Sequence, residues 1–496
     1  MDDWEAFRAA HKGAEPTTLR IRAGRVSEGE LLTALSRRGF DLAPIPSVEG
    51  FHRVENAPYS VAQTPEHWLG LFHVQQAVMG LPTLALTPRS GERILDLCAA
   101  PGGKTAHMAE LMSDRGPLVA VDPQEKRLRA LLSNLYRLAH PNVLVIAGDG
   151  RTLPDTARFD RILVDAPCSA EGNYRRRRGR MVSRKRGFVD HITSLQEALL
   201  RRAVHLARPG GVIVYSTCTY APEENEAVVD RVLRDEPVES EEIPLEAPHA
   251  SGIMEWNGTR FHRDVSRAWR VYPHHLDSGG LFMLRLRKLG PSTPDDGSGW
   301  SPVPAAFPGE DRQAATKRIE VALSGLRSRL GLPDKLLTEL GWMARKENIW
   351  AHTAERWPVE SWAEASTGGA NGGAGERRGR EGWRVVTVGL RALRRGPGKW
   401  ETPTNHFLGR WGKHLAPERQ VALHRSELRT LLEGTALPAE GRPAGPVALL
   451  WEGRVIGRGI VGRTGLTHQI ARAYADRLRA ILDHEQGDEH HGDEPA

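Results

Sequence analysis

The chain holds three cysteines, Cys98, Cys168 and Cys218, and each follows an apolar run that gives way to a turn. Cys218 follows the β-branched run VIVYST, Cys168 follows RILVDAP, and Cys98 lies inside LDLCAAPGGKT. A cysteine is more often a small buried hydrophobe than a reagent, and that reading is kept for Cys98 within its packed strand and turn. Three carboxylates share the same placement: Asp122 ends VAVD, Asp149 ends IAGD and Asp165 ends LVD. One aspartate at a strand end is ordinarily a turn or cap residue. Three at successive strand ends crowd one rim of a sheet, the rim at which open α/β folds bind ligands.

The turn Cys98, Ala99, Ala100, Pro101, Gly102, Gly103, Lys104 joins a strand to a helix. Glycines let backbone amides approach a ligand there, and the helix start favours negative charge. The spacing is not that of a P-loop, although Gly103-Lys104-Thr105 imitates its end, and no GxGxxG follows a strand. Asp122 is placed to accept from two ribose hydroxyls, and Asp149 to meet an adenine edge or a neighbouring backbone amide. These features predict an adenosine-containing cofactor. S-adenosylmethionine suits them better than NAD, because a sulfonium needs no pyrophosphate cradle.

The elements that must position these groups alternate regularly from Glu92 onward. Strands are predicted at 93–99, 117–122, 143–149, 160–167 and 211–217, with helices at 104–112, 124–138, 194–207 and 223–235. Apolar strands alternating with helices mean a doubly wound parallel sheet, closed by LFMLRLRKL (281–289) as an edge strand. Residues 17–45 predict strand, helix, strand, and a helix is expected near 67–80. The domain reading is a small α+β lead-in at 1–88, a catalytic domain at 89–290, a Pro/Gly/Ser-rich linker at 291–312, a helical segment at 313–365, a flexible Gly-rich stretch at 366–382, a module of short strands with a final helix (464–482) at 383–482, and an acidic disordered tail at 483–496. Glu452-Gly453 is read as the turn of a hairpin in that module. Nine of the 13 tryptophans lie between Trp300 and Trp451, where most are expected to pack small cores.

At 496 residues the chain exceeds one core. No apolar run reaches membrane-spanning length, no signal-peptide pattern opens the chain, and three scattered cysteines make no disulfide framework, so a cytoplasmic protein is expected. No metal site is expected, the histidines of the tail being read as solvated. No heptad seam is visible, and a monomer is the default. The net charge is +6, unevenly spread: YRRRRGRMVSRKRG (174–187) carries eight basic residues, Arg175, Arg176, Arg177, Arg178, Arg180, Arg184, Lys185 and Arg186, and no acid. Such a stretch directly after the Cys168 loop reads as a phosphate-tracking RNA surface.

Taken together, LDLCAAPGGKT, DAPCSAEGNYRR and VYSTCTYAPEENEAVV resemble the RNA cytosine-C5 methyltransferase family over about residues 17–288, and most resemble its bacterial RsmF-type branch, which modifies small-subunit ribosomal RNA. The resemblance implies a Rossmann-like methyltransferase sheet, S-adenosylmethionine as methyl donor, and a C-terminal PUA-like RNA-binding module. It assigns Cys218 as the nucleophile that adds to cytosine C6, Cys168 as the group that assists release, and Asp165 as the partner of the N3 edge; Lys104 is placed to favour the thiolate. Ribosomal RNA or a small-subunit particle is the implied partner, with transfer RNA as the alternative substrate. A non-catalytic RNA-binding assembly factor is the further alternative. Ala170, where the family usually has glycine, and Leu19-Arg20-Ile21-Arg22, where it often reads LRVN, are departures that remove no catalytic group. A free thiol near its ordinary pKa of about 8.5 is only about 3% ionised at pH 7, so the site must stabilise a thiolate. A DNA cytosine-C5 methyltransferase would instead use Cys168 as nucleophile.

Overall fold

The computed structural model describes all residues except 1, 2, 178, 179, 181–185, 291–296, 298, 361, 363–381, 397–400, 440 and 490–496, and the side chains of 186 and 484–489. The expected roles of Arg178, Arg184, Lys185 and the Arg186 side chain, most of the Gly-rich stretch and the end of the tail lie outside the described residues. The chain divides into two compact units. The first contains Met1–Pro58, Leu71–Val303 and Ala354–Thr387.

Its centre is a ten-stranded sheet. Five strands run parallel: Ile94–Asp96, Leu118–Asp122, Val143–Ala147, Phe159–Asp165 and Ala207–Thr217. Their interiors are apolar and buried on both faces, as a parallel sheet covered by helices requires. The helix Glu125–Leu138 shows why the cover fits: Leu128, Leu131, Leu135 and Leu138 recur at helical spacing and are its buried residues, while Glu125 and Arg137 complement the two ends of its dipole. Leu281–Lys288 is not the edge. It pairs antiparallel with Ala207–Thr217 on one side and with Trp269–Val271 and Val238–Glu241 on the other. Those partners are too short for their alternation to stand out from loop. At the opposite edge Arg384–Val388 is added beside Val143–Ala147.

The N-terminal sheet has four antiparallel strands, in the order Asp41–Pro44, Phe51–Asn56, Thr18–Ile21, Phe72–Val74. The strand, helix and strand of 17–45 are present, but Phe51–Asn56 separates the two strands. Instead of one helix near 67–80, a single turn (Pro65–Trp68), a strand and a 3₁₀ turn follow one another; Pro65 and Gly70 punctuate the segment. Arg20 and Arg22 are buried and pair with Glu110 and Asp114 at the end of the helix that follows the glycine turn. Buried guanidinium groups persist only with such partners.

The second unit contains Tyr59–Gly70, Pro304–Thr353 and Val388–Ala496. The 313–365 stretch is helical only in its first half: after Arg312–Leu330 and Asp334–Glu339 come the paired strands Gly341–Arg345 and Asn348–His352, turning at Lys346 with φ 48°. A second four-stranded sheet joins Gln420–Ala422, Gly445–Trp451, Arg454–Gly462 and Gly465–His468. Glu452-Gly453 makes the expected turn between two of these strands. The final helix begins at Arg472, since 465–468 is strand, and runs to Glu489 rather than ending at 482. Its Leu478 and Leu482 pack with Leu428, Val447, Leu449 and Ile456, and Asp483 is held by Arg429. No helix among the described residues is long and apolar enough to cross a membrane.

Candidate active site

Register brings the two distant cysteines together. Asp165 and Ser216 are partners on adjacent parallel strands, so Cys168 and Cys218 leave the same end of the sheet three and two residues later. Their sulfurs lie 3.3 Å apart. The Cys218 backbone amide also donates to the Cys168 sulfur at 3.3 Å. A side-chain amide approaches from the Cys168 loop: Asn173 Nδ2 donates to Cys218 Sγ at 3.3 Å. Beside them Lys104 Nζ pairs with Asp165 Oδ2 at 2.8 Å and lies 3.4 Å from Met79 Sδ. Asp165 Oδ1 accepts from Ser216 Oγ at 2.9 Å.

The loop that carries Cys168 is tied to the strand end that carries Cys218. Gly172 N–H donates to Cys218 O at 2.9 Å. Ser169 Oγ and Thr219 Oγ1 share a bond of 2.7 Å, and Glu171 accepts from Thr219 Oγ1 and Tyr220 N–H. Glu224, buried, accepts from Ser169 N–H and Gln196 Nε2. The acidic segment after Cys218 therefore does more than start a helix: Glu224 anchors the loop of the other cysteine.

The two thiols are unequal. Donation from Cys168 lowers the Cys218 pKa below the ordinary thiol value; burial and Asp165 oppose this, and the positive charges of Lys104 and Arg177 assist it. Cys168 is half-buried; its bond to Cys218 and its desolvation push its thiol well up. Lys104 is raised despite burial, because Asp165 faces it. The arrangement surrounds the Cys218 thiol, its pKa lowered, with a neighbouring thiol, an amide and two cations, groups that can favour a thiolate.

The glycine turn, which carries Lys104, adjoins them. Gly102 adopts φ +101°, and a Cβ there would come within 2.7 Å of the Leu131 side chain. Asp96, at the preceding strand end, is buried; its Oδ2 accepts from Thr105 Oγ1 at 2.7 Å while Oδ1 has no partner among the described residues. Burial raises its pKa to about 7. Asp122 is also enclosed: its oxygens accept from Ala100 N–H at 3.3 Å and Gln124 N–H at 3.0 Å, and Arg127 lies 3.3 Å away. Asp149 takes the backbone alternative, accepting from Arg151 N–H at 3.0 Å and pairing with the Arg151 side chain. Cys98 is buried, and burial pushes its thiol well up, consistent with a packing role.

One basic residue is reassigned. Arg175 is buried, donates to the carbonyls of Gly13 and Ala14, and pairs with Asp277 at 2.8 Å; it holds the N-terminal segment and is not available to RNA. Arg176, Arg177 and Arg180 are exposed. Asn173, Ser216 and Met79 were not foreseen. Ser216 carried a signal, since it stands two residues before Cys218 on one strand face, whereas Asn173 reaches the sulfur only through the loop closure. Among the described residues no group of three or more histidine, cysteine or acidic side chains is placed to hold a metal.

Residues 83–287 match the family model described as 16S rRNA methyltransferase RsmB/F. Over 368 residues the chain is 31% identical to Ribosomal RNA small subunit methyltransferase F of Erwinia tasmaniensis, an alignment covering 72% of this chain and 73% of that protein. It is 34% identical to the tRNA (cytosine(49)-C(5))-methyltransferase of Pyrococcus abyssi, over 58% of this chain and 93% of the other. The chain spans less than half the length of the human, mouse and fission-yeast large-subunit enzymes it also matches, 37%, 38% and 48%. A crystal structure of a methyltransferase homologue from Pyrococcus horikoshii superposes with a TM-score of 0.52 at 31% identity, covering 57% of this chain and 90% of that one.

Proposed function

The chain belongs to the RsmB/F family of RNA cytosine-C5 methyltransferases, and we propose that it methylates C5 of a cytosine in RNA, small-subunit ribosomal RNA first among the candidates, through a covalent bond between Cys218 and cytosine C6. The observation that carries this reading is the pair of sulfurs 3.3 Å apart on one lip of the sheet, beside the Lys104–Asp165 pair.

The residues of the glycine turn beside them suit S-adenosylmethionine. Gly102 lets the turn close against Leu131 with its backbone in the left-handed region, and the Asp96 Oδ1 without a partner among the described residues is a buried acceptor suited to an ammonium group. The segment from Cys98 to Lys104 would hold the donor, with Asp122 and Asp149 toward its adenosine half; Asp122 reaches a ribose once Arg127 yields. When bound, S-adenosylmethionine supplies an electrophilic methyl group. Cys218 adds as thiolate to C6, and the C5=C6 electron pair moves to C5, which becomes nucleophilic enough to take that methyl. Asp165, anchored by Lys104 and Ser216, would meet the N3 and N4 edge of the base: as carboxylate it accepts from the N4 amino group, and as carboxylic acid it supplies a proton to N3 as negative charge develops there.

Release follows from the inequality of the thiols. Cys168 holds its proton chiefly because it donates to the Cys218 sulfur. In the adduct Cys218 is a neutral thioether, so the anion that held that proton is gone and Cys168 becomes a stronger acid. It releases that proton to water; its thiolate then takes the C5 proton, the electron pair restores C5=C6, and Cys218 leaves as thiolate, so that the reaction sheds one proton in all. The site is reached by an unpaired or flipped base, with Arg176, Arg177 and Arg180 along the phosphates, the four-stranded lead-in beside the substrate, and the C-terminal strands acting as a PUA-like RNA-binding module. A transfer RNA substrate is the second reading, favoured by the identity to the Pyrococcus abyssi tRNA enzyme.

The test is labelled methyl transfer from S-adenosylmethionine to ribosomal and transfer RNA pools, with denaturing gels for adducts. Cys218→Ala is expected to abolish transfer, and Cys168→Ala to accumulate a covalent protein–RNA species. An adduct that survives Cys218→Ala but not Cys168→Ala reverses the assignment; label insensitive to ribonuclease removes RNA as the substrate.

A further inference from the structure

A thiolate half-buried beside a carboxylate needs donors that stay in place. Cys168 is one donor to the Cys218 sulfur, but in the release step it gives up its proton before it takes the one from C5, so it does not donate throughout the cycle. Lys104 and Arg177 act on Cys218 through their charge, and the Lys104 ammonium is directed at Asp165. The remaining donor is Asn173 Nδ2, 3.3 Å from Cys218 Sγ. A side-chain amide does not titrate, so its N–H donates in every step.

The backbone leaves Asn173 little freedom. Ala170, in the left-handed region at φ 57°, turns the chain after Cys168 into the short Glu171–Asn173 helix. Gly172 N–H is fixed to Cys218 O, and Asn173 N–H to Ala170 O at 3.2 Å. Asn173 Oδ1 is buried without a partner among the described residues, so the sulfur is the only partner the amide has there. We infer that Asn173 is a further catalytic residue, its amide donating to the Cys218 sulfur and holding it as thiolate both before attack and on release. The inference rests on Cys218 as the nucleophile, but its test does not.

That test is the pH dependence of Cys218 alkylation by iodoacetamide, read by mass spectrometry in a Cys168→Ala background, with buried Cys98 as internal reference. Asn173→Ala removes the donor, and the near-isosteric Asn173→Asp replaces it with a carboxylate. The alkylation midpoint is expected to move up by about one pH unit in Asn173→Ala, about a tenfold loss of thiolate at neutral pH, and further in Asn173→Asp. With Cys168 restored, single-turnover methyl transfer should fall by a similar factor at neutral pH and recover as pH rises. Unchanged midpoints in both variants, with thermal unfolding like the parent, overturn the inference. If Asn173→Ala does not fold, Asn173→Asp alone decides by the same criterion. A shifted midpoint together with methyl transfer that survives Cys218→Ala would instead refute Cys218 as nucleophile and leave the amide–sulfur bond standing.

Discussion

Lys104 and Asp165 pull the Cys218 thiol in opposite directions while paired with each other at 2.8 Å. Removing either therefore has a distinct signature. Lys104→Met takes away a cation and leaves Asp165 facing the sulfur, so alkylation of Cys218 should need higher pH and methyl transfer should fall at least about tenfold at neutral pH, one pKa unit being a factor of ten in thiolate. Asp165→Asn should ease ionisation of the thiol and yet slow transfer by about tenfold or more, because the group that meets the base edge is weakened. Alkylation profiles and single-turnover rates on the same two proteins separate these effects. Asp96 supplies a stability readout. Burial raises its pKa from 3.8 to about 7, so the folded protein keeps a proton that the unfolded chain releases. Its contribution is complete below pH 3.8 and is lost as pH climbs through about 7. Asp96→Asn mimics the protonated form, and its stability should gain on the parent as pH rises from 5 to 8, by about 3 kcal/mol at most over that range. At this scale the cysteines and strand-end aspartates were legible because a polar residue closing an apolar run is visible in one dimension. Asn173 was not, because its partner is 45 residues away and joined by loop closure. Arg175 was misread because a run of arginines hides the one that turns inward to Asp277.

The loop from Cys168 to Asn173 works as one element, and its packing gives the prediction proper to it. A Cβ on Gly172 would fall 2.6 Å from Gly280 O and 2.8 Å from Gly280 Cα, backbone atoms that cannot swing aside. Gly172→Ala must therefore displace the short helix, and with it the Gly172–Cys218 bond and the Asn173 amide. The expected outcome is a loss of methyl transfer of at least about tenfold, with a stability loss of about 1–3 kcal/mol typical of overpacking; kinetics and chemical denaturation on one preparation measure both. The parallel strands were legible because buried apolar runs between helices leave few alternatives. The strands Ala250–Ser251 and Trp269–Val271 were not, being two and three residues long and defined only by the neighbours they pair with. The same holds for Gly465–His468, whose apolar and small residues read as the start of the helix that begins at Arg472.

For the whole molecule, composition separated the linkers less well than the fold does. The Pro- and Gly-rich stretches suggested a chain cut in sequence order, but Ala354–Thr387 belongs to the first unit, where it adds Arg384–Val388 to the catalytic sheet. A strand that completes a distant sheet edge has no signature of its own, since its pairing depends on a surface made elsewhere. Charge, in contrast, was legible as a molecular property. The net +6 is concentrated in the segment after the Cys168 loop, and of its described arginines Arg176, Arg177 and Arg180 are exposed while Arg175 is not. If these three track phosphates, each neutralised phosphate releases counterions, and log affinity should fall linearly with log salt. Replacing Arg176 and Arg180 with glutamate should weaken RNA binding across sequences and reduce that slope by about one for each phosphate no longer neutralised. Arg177→Glu should do the same and also slow methyl transfer at saturating RNA, since Arg177 is the one of the three whose charge favours the Cys218 thiolate. Arg175→Glu should instead leave the salt slope unchanged and lower the thermal midpoint, because it buries a carboxylate against Asp277. Filter-binding titrations at several salt concentrations, with unfolding curves for the four variants, sort the three surface arginines from the buried one. Equal salt slopes in all four would mean that RNA is held by some other face of the molecule.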